Sequence, residues 1–207
     1  MNIFQLFNRC ISIEYTHLMG EESYAYETVD NILYLYFQKS NGFVDWKNNL
    51  DFPIRSYKGF FAHRGFLNSW EGLTKTIDDI LLKEKYNNVV IAGYSHGGAL
   101  ALLCYEHIIS SYLHLKGKIC GYGFGCPRVI WGSIDKTLWK NFYVVRNIND
   151  IVTHLPPKAL GYTHVGKLLT IGMPKKYSSI DAHREENILK ELKTYLFTNP
   201  EQCDIMF

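Results

Sequence analysis

The sequence predicts an α/β protein whose mainly parallel central sheet is covered by helices on both faces. Short β-branched runs alternate with helix-patterned segments along the chain, an order typical of parallel sheets. The run at 32–37 is almost wholly apolar, as expected of a central strand buried on both sides. The 207 residues suffice for one domain with a sizeable core, so we expect a single domain over residues 1–207.

The first third of the chain combines a helix, a hairpin and a loop. Apolar side chains repeat at helical spacing from Phe4 to Ile11, which predicts an N-terminal helix. Residues 23–29 and 32–37 predict two antiparallel strands that turn at Asp30-Asn31, because Asp and Asn tolerate left-handed backbone. Residues 41–59 carry Asn-Gly and Asn-Asn pairs and are expected to form a loop.

The rest of the chain alternates between helices and strands. Leu67, Trp70 and Leu73 open a stripe at three-to-four spacing, which predicts a helix over 66–85. The same reasoning predicts helices over 97–115 and 182–197, the latter with Asp181 as N-cap, and strands over 88–92, 118–124, 142–146 and 163–171.

Composition and overall charge give no support for several classes of protein. The net charge of +2, from 22 basic and 20 acidic side chains, favours neither a nucleic acid nor an anionic membrane as partner. No stretch approaches the roughly 20 apolar residues of a membrane span, and the N-terminus lacks the apolar core of a signal peptide. The five cysteines show no paired spacing that would predict disulfides or a zinc site. We therefore expect a cytoplasmic protein without metal or organic cofactor; its oligomeric state is not predicted.

A serine between two glycines is the most informative motif. Gly93-Tyr94-Ser95-His96-Gly97 follows a β-branched run and opens a helix rich in small residues. On such a sharp strand-to-helix turn the serine hydroxyl projects from the sheet, and the next backbone N–H points to the same place. The motif predicts Ser95 as a nucleophile and the N–H of His96 as one donor to an oxyanion hole.

A serine nucleophile needs a histidine base and an acid that orients it. In α/β-hydrolases the order along the chain is serine, acid, histidine, because each lies at the C-terminal edge of a strand. Asp150 follows the strand over 142–146 and is the predicted acid. Asp135 fits a solvated turn better, and we expect Glu106 to lie on the surface of the helix that follows Ser95.

Three histidines follow Asp150. His154 is only four residues away and is expected to order the loop at Leu155-Pro156-Pro157, while His164 is expected to be a structural, hydrogen-bonded residue. His183 lies where a loop meets the closing helix, so its side chain can overhang the sheet edge. It is the predicted base, with His164 as the alternative.

The motifs together resemble the class 3 lipases, the fungal-lipase-like branch of the α/β-hydrolases. The likeness extends from about residue 23 to the closing helix, and it rests on five segments. These segments are Gly93–Ala101 (similar to G-H-S-L-G-G-A-L-A, with Tyr94 and His96 departing from it), His63-Arg64-Gly65-Phe66 (H-x-G-F), Phe124-Gly125-Cys126-Pro127-Arg128-Val129 (F-G-x-P-R-V), Asn149-Asp150-Ile151-Val152 with Leu155-Pro156-Pro157 (N-x-x-D-x-V-x-x-L-P-P) and, loosely, His183 with Asn187 and Ile188 (H-x-x-Y).

The resemblance implies an α/β-hydrolase that cleaves carboxylic esters of the acylglycerol or phospholipid class. It also implies a second oxyanion donor, Ser40, although Lys39 replaces the family's usual glycine beside it. A lid follows that donor in the fungal members, which makes residues 41–52 a candidate lid over a cleft that meets a lipid–water interface. The triad alone is equally compatible with a peptidase or thioesterase, and a non-catalytic binding protein on a hydrolase scaffold is the third alternative.

Overall fold

The computed structural model describes residues 1–18, 22–38, 52–200 and 204–205. The helices are α1 (Ile3–Ser12), α2 (Arg64–Lys83), α3 (His96–Ser111) and α4 (Glu185–Thr198). The strands are β1 (Thr16–His17), β2 (Ser23–Val29), β3 (Ile32–Phe37), β4 (Ile54–Tyr57), β5 (Phe60–His63), β6 (Asn88–Tyr94), β7 (Ile119–Phe124), β8 (Ile130–Trp131), β9 (Phe142–Asn147), β10 (Tyr162–Thr163) and β11 (Lys167–Ile171).

A seven-stranded, mainly parallel sheet forms the centre of the molecule, in the order β1-β2-β3-β6-β7-β9-β11. The five strands from β3 to β11 in this order are parallel, and the β1–β2–β3 edge is antiparallel. A smaller antiparallel sheet has the order β10-β8-β5-β4. The parallel strands bring the carboxyl ends of β6, β9 and β11 to one edge, which is where the predicted functional residues follow.

Helices cover both faces of the large sheet, which confirms the predicted fold class. Leu33, Leu35 and Phe37 of β3 point into a core shared with α2 and α3. Tyr34 and Tyr36 of the same strand point into a second core, which contains residues of α1 and α4. Because both faces are buried, β3 has no polar face, and its apolar sequence follows from its central position.

The predicted hairpin is confirmed: β2 and β3 turn at Asp30 and Asn31, whose φ angles of 51° and 61° are left-handed. The predicted continuous strand over 163–171 is wrong. Gly166 has a φ of +84° and divides this segment between β10 and β11, which belong to different sheets. The expected loop over 41–59 contains β4, and Asp181 does not cap the closing helix, which begins after Arg184.

Candidate active site

The predicted strand-to-helix turn at Ser95 lies between β6 and α3. Ser95 has φ 58° and ψ −120°, a conformation that non-glycine residues rarely adopt. A Cβ on Gly93 would lie 2.0 Å from the carbonyl oxygen of Gly97, and a Cβ on Gly97 would lie 2.1 Å from that of Phe37. Side chains are therefore excluded at both glycines, because the backbone at the start of α3 lies directly against the backbone of β6 and of the neighbouring β3.

Ser95, His183 and Asp150 form a continuous hydrogen-bonded chain. His183 Nε2 lies 2.8 Å from Ser95 Oγ, and His183 Nδ1 lies 2.7 Å from Asp150 Oδ2. All three side chains are buried. A carboxylate can only accept, so Nδ1 carries the hydrogen in this pair when Asp150 is ionised. The Nε2 lone pair of the neutral imidazole is then directed at the serine hydroxyl.

The loop after β9 fixes Asp150. Its second carboxyl oxygen, Oδ1, accepts a hydrogen bond from the backbone N–H of Val152 at 2.8 Å, and its carbonyl accepts one from the hydroxyl of Thr153 at 2.9 Å. The Arg128 guanidinium donates to the backbone carbonyls of His154 and Pro156. Arg128, which lies between β7 and β8, therefore holds this loop through its backbone, and the expected role of the His154 side chain stays a prediction.

Asn149 joins the loop of the acid to the segment that leads to the histidine. Its side chain accepts from the N–H of Lys175 at 2.7 Å and donates to the carbonyl of Met173 at 2.8 Å. Its carbonyl accepts from the N–H of Ser179 at 2.7 Å. These bonds hold residues 172–180, named here the 172–180 loop, against the neighbour of Asp150. The loop ends three residues before His183.

Two residues that sequence reasoning did not assign to the site pack around His183. The Tyr94 hydroxyl donates to the backbone carbonyl of His183, and the two rings stack with centroids 5.1 Å apart and an interplanar angle of 29°. Burial raises the pKa of Tyr94, so the hydroxyl stays a donor at neutral pH. Gly125 is also close to the imidazole, since a Cβ there would lie 2.8 Å from His183 Cε1. In the sequence, Tyr94 is visible only as a departure from the family letter, and Gly125 only as part of the F-G-x-P-R-V segment.

His96 begins α3, so its backbone N–H has no acceptor within the helix. Its imidazole packs on Phe66 with ring centroids 5.4 Å apart. Burial, together with nearby His63, lowers the pKa of His96 to about 4. The side chain is therefore neutral at physiological pH, and no charged group is added beside Ser95.

The other candidates lie outside the chain of contacts. His164 Nε2 is 2.8 Å from the Thr153 carbonyl, as expected for a structural histidine, and burial lowers its pKa to about 4. Asp135 is exposed and accepts from the N–H of Thr137, as expected for a solvated turn. Glu106 is buried within α3, so its expected surface position is wrong. Ser40 and residues 41–51 lie outside the described residues.

Within the described segments, no three His, Cys, Asp or Glu side chains are grouped closely enough to hold a metal ion. Among the helices that are described, none combines the length and the apolar character needed to cross a bilayer.

The fold and the arrangement of serine, histidine and aspartate define an α/β-hydrolase. A family model described as Lipase (class 3) matches residues 34–160, more than half of the sequence. The chain belongs to the class 3 lipase family.

Named relatives agree with this family. A lipase from Rhizomucor miehei is 32% identical over 160 residues, which cover 67% of this chain and 41% of the relative. A secreted mono- and diacylglycerol lipase from Malassezia restricta is 35% identical over 159 residues, which cover 72% and 50%. The chain thus spans about half the length, or less, of these curated relatives.

The solved structure of Rhizomucor miehei triacylglyceride lipase has the same fold. It superposes with a TM-score of 0.66 at 24% identity, covering 83% of this chain and 78% of the other.

Proposed function

We propose that this chain hydrolyses carboxylic esters of lipids through an acyl-enzyme on Ser95. The observation that carries the proposal is the buried chain of hydrogen bonds, 2.8 Å from Ser95 Oγ to His183 and 2.7 Å from His183 to Asp150. A serine hydroxyl is a weak nucleophile at neutral pH, and this arrangement is the one that removes its proton as it attacks.

The reaction follows from the roles of the three residues. His183 Nε2 takes the hydroxyl proton while Ser95 Oγ attacks the ester carbonyl, and the buried carboxylate of Asp150 stabilises the resulting imidazolium. Collapse of the tetrahedral intermediate expels the alcohol, which His183 protonates. A water molecule then attacks the acyl-enzyme carbonyl, with His183 again as the base, and the carboxylic acid is released as Ser95 regains its proton.

The developing oxyanion needs donors that are already in place. We assign one to the backbone N–H of His96 and, from the family resemblance, the second to Ser40. Loss of one such donor typically lowers turnover by roughly a hundredfold or more. This role uses only the backbone N–H of His96, so it does not depend on the charge of the imidazole.

The substrate class comes from the family rather than from the triad. Acylglycerols are the first candidates, because the Malassezia restricta relative is named a mono- and diacylglycerol lipase. A lipid–water interface and a lid over 41–52 stay proposals of the same kind. The cytoplasmic location expected from the sequence also stays a prediction, and the word "secreted" in that relative's name argues against it.

The test compares Ser95→Ala, His183→Ala and His164→Ala on a p-nitrophenyl ester series, with triacylglycerol and phospholipid alongside. We expect the first two variants to lose on the order of a million-fold in turnover, because triad members act as a unit. His164→Ala, the control, should change stability more than turnover. Near-native activity of Ser95→Ala would contradict the proposal.

The same panel separates the alternatives. Labelling of the wild type by a fluorophosphonate excludes a non-catalytic scaffold, and its absence supports one. Turnover of amide or thioester substrates in preference to oxygen esters would favour the peptidase or thioesterase alternative.

A further inference from the structure

The 172–180 loop combines exposed apolar side chains with basic ones beside the triad. Met173 is 80% exposed, Tyr177 is 72% exposed and Ile180 is 42% exposed. Lys175 and Lys176 lie between them and are also exposed. Exposed large apolar residues that cluster next to a buried site mark an interaction surface more often than isolated ones do.

Two lysines carry the positive charge of this loop, whose first residue, Gly172, lies against the carboxyl group of Glu191 on α4. Within the described residues, neither lysine forms an ion pair, and the Lys176 ammonium lies over the Tyr177 ring at 5.3 Å. Two of the next three carboxylates along the chain, those of Asp181 and Glu186, lie within 4 Å of Arg184 instead. The loop therefore presents two unpaired cations together with an aromatic side chain, the combination that favours the headgroup region of an anionic bilayer.

The loop is held at the place where docking would deliver substrate. Asn149, the residue before Asp150, forms hydrogen bonds with the loop backbone at Met173, Lys175 and Ser179. An isolated β-bridge between Asp150 and Ser179 adds to this attachment. A lipid surface bound to the loop would therefore lie close to His183 and Ser95. The loop backbone is already held in place, so it would not have to become ordered on binding.

We propose that the 172–180 loop is a docking site for an anionic lipid surface. Tyr177 and Met173 enter the headgroup region, and Lys175 and Lys176 contact anionic headgroups. This inference rests on the proposed lipid hydrolysis for its purpose, but binding can be measured without turnover. It concerns a segment remote in sequence from the candidate lid.

The experiment measures sedimentation of the Ser95→Ala protein with phosphatidylcholine vesicles, with and without phosphatidylglycerol. We expect binding to require the anionic lipid and to weaken with salt. Lys175→Gln and Lys176→Gln should each lower the partition coefficient about fivefold, the factor typical of one basic residue at an anionic surface. Met173→Ser and Tyr177→Ser should also weaken binding, since each removes apolar surface that the bilayer buries.

The matched controls lie at exposed positions of α4, outside the loop sequence. Lys190→Gln and Lys193→Gln remove exposed charges, and Phe197→Ser removes a side chain that is 89% exposed. We expect these variants to bind vesicles like the parent protein. Equal losses in the control and loop variants, or equal binding to both vesicle types, would overturn the proposal.

Turnover of a water-soluble short-chain ester by the loop variants in the wild-type background completes the test. It should be unchanged, because the substituted side chains are exposed whereas the triad is buried. A parallel loss there would overturn the docking role, since the loop would then act through Asn149 on Asp150. If the wild type cleaves no ester but binds vesicles through the loop, the proposed function fails and the docking site stands.

Discussion

Replacement of Gly125 by alanine tests the packing around the catalytic histidine. Gly125 has a φ of +56°, so alanine there meets a backbone cost of roughly 1–2 kcal/mol. Its Cβ would also lie 2.8 Å from His183 Cε1 and 2.9 Å from Nδ1. Two carbon atoms are in favourable contact at about 3.5–4.0 Å, so the imidazole must move by roughly half an ångström or more. Since a displacement of about 1 Å can cost a hundredfold in rate, we expect turnover to fall about tenfold to a hundredfold.

The matched control is Gly132→Ala. Gly132 has a φ of +86°, but a Cβ there would meet nothing within 4 Å. Both variants place alanine in left-handed backbone, so urea unfolding should show a similar backbone cost for both. Gly125→Ala should lose further stability from its clash with His183. Only Gly125→Ala should lose turnover of a short-chain ester. Similar turnover in the two variants would refute the reasoning that Gly125 is required by its contact with the base.

Two further predictions concern buried polar groups. Tyr94→Phe removes a hydrogen bond to the His183 carbonyl but keeps the stacked ring, so kcat should fall about fivefold at unchanged KM; a change in KM alone would argue against a positioning role. The pKa of His164 is about 4 in the folded protein against an ordinary value of 6.5. The unfolded chain therefore takes up the proton first, and the stability that neutral His164 contributes is complete above pH 6.5 and is lost as the pH falls towards 4. At pH 5 the loss is about 2 kcal/mol. His164→Leu should reduce the change in unfolding free energy between pH 7 and pH 5 by about that amount, and an unaltered change would contradict the assignment.

The parts of the site that the sequence predicted are those determined by local pattern. Ser95 lies on a turn with its own glycine signature, and Asp150 directly follows an apolar strand. The contact of Tyr94 with His183 joins residues 89 positions apart, and no local pattern reports such a pairing.

The errors in the fold have a similar origin. The small sheet consists of strands of two to four residues, which are too short to show alternation. The segment over 163–171 is predicted as one strand, but a Cβ on Gly166 would lie 2.4 Å from the carbonyl oxygen of Phe142. The break there depends on a neighbour that the local sequence does not reveal.

The three hydrogen bonds of Asn149 hold the segments that carry the acid and the base in a fixed position relative to each other. Asp150 lies on the loop that this residue belongs to, and His183 follows the segment that it holds. Ser95 comes from a different element, the turn between β6 and α3, and its neighbour Tyr94 makes the contact with His183. The nucleophile is therefore the exchangeable component: a residue such as cysteine in place of Ser95 would meet an acid–base pair that is already assembled.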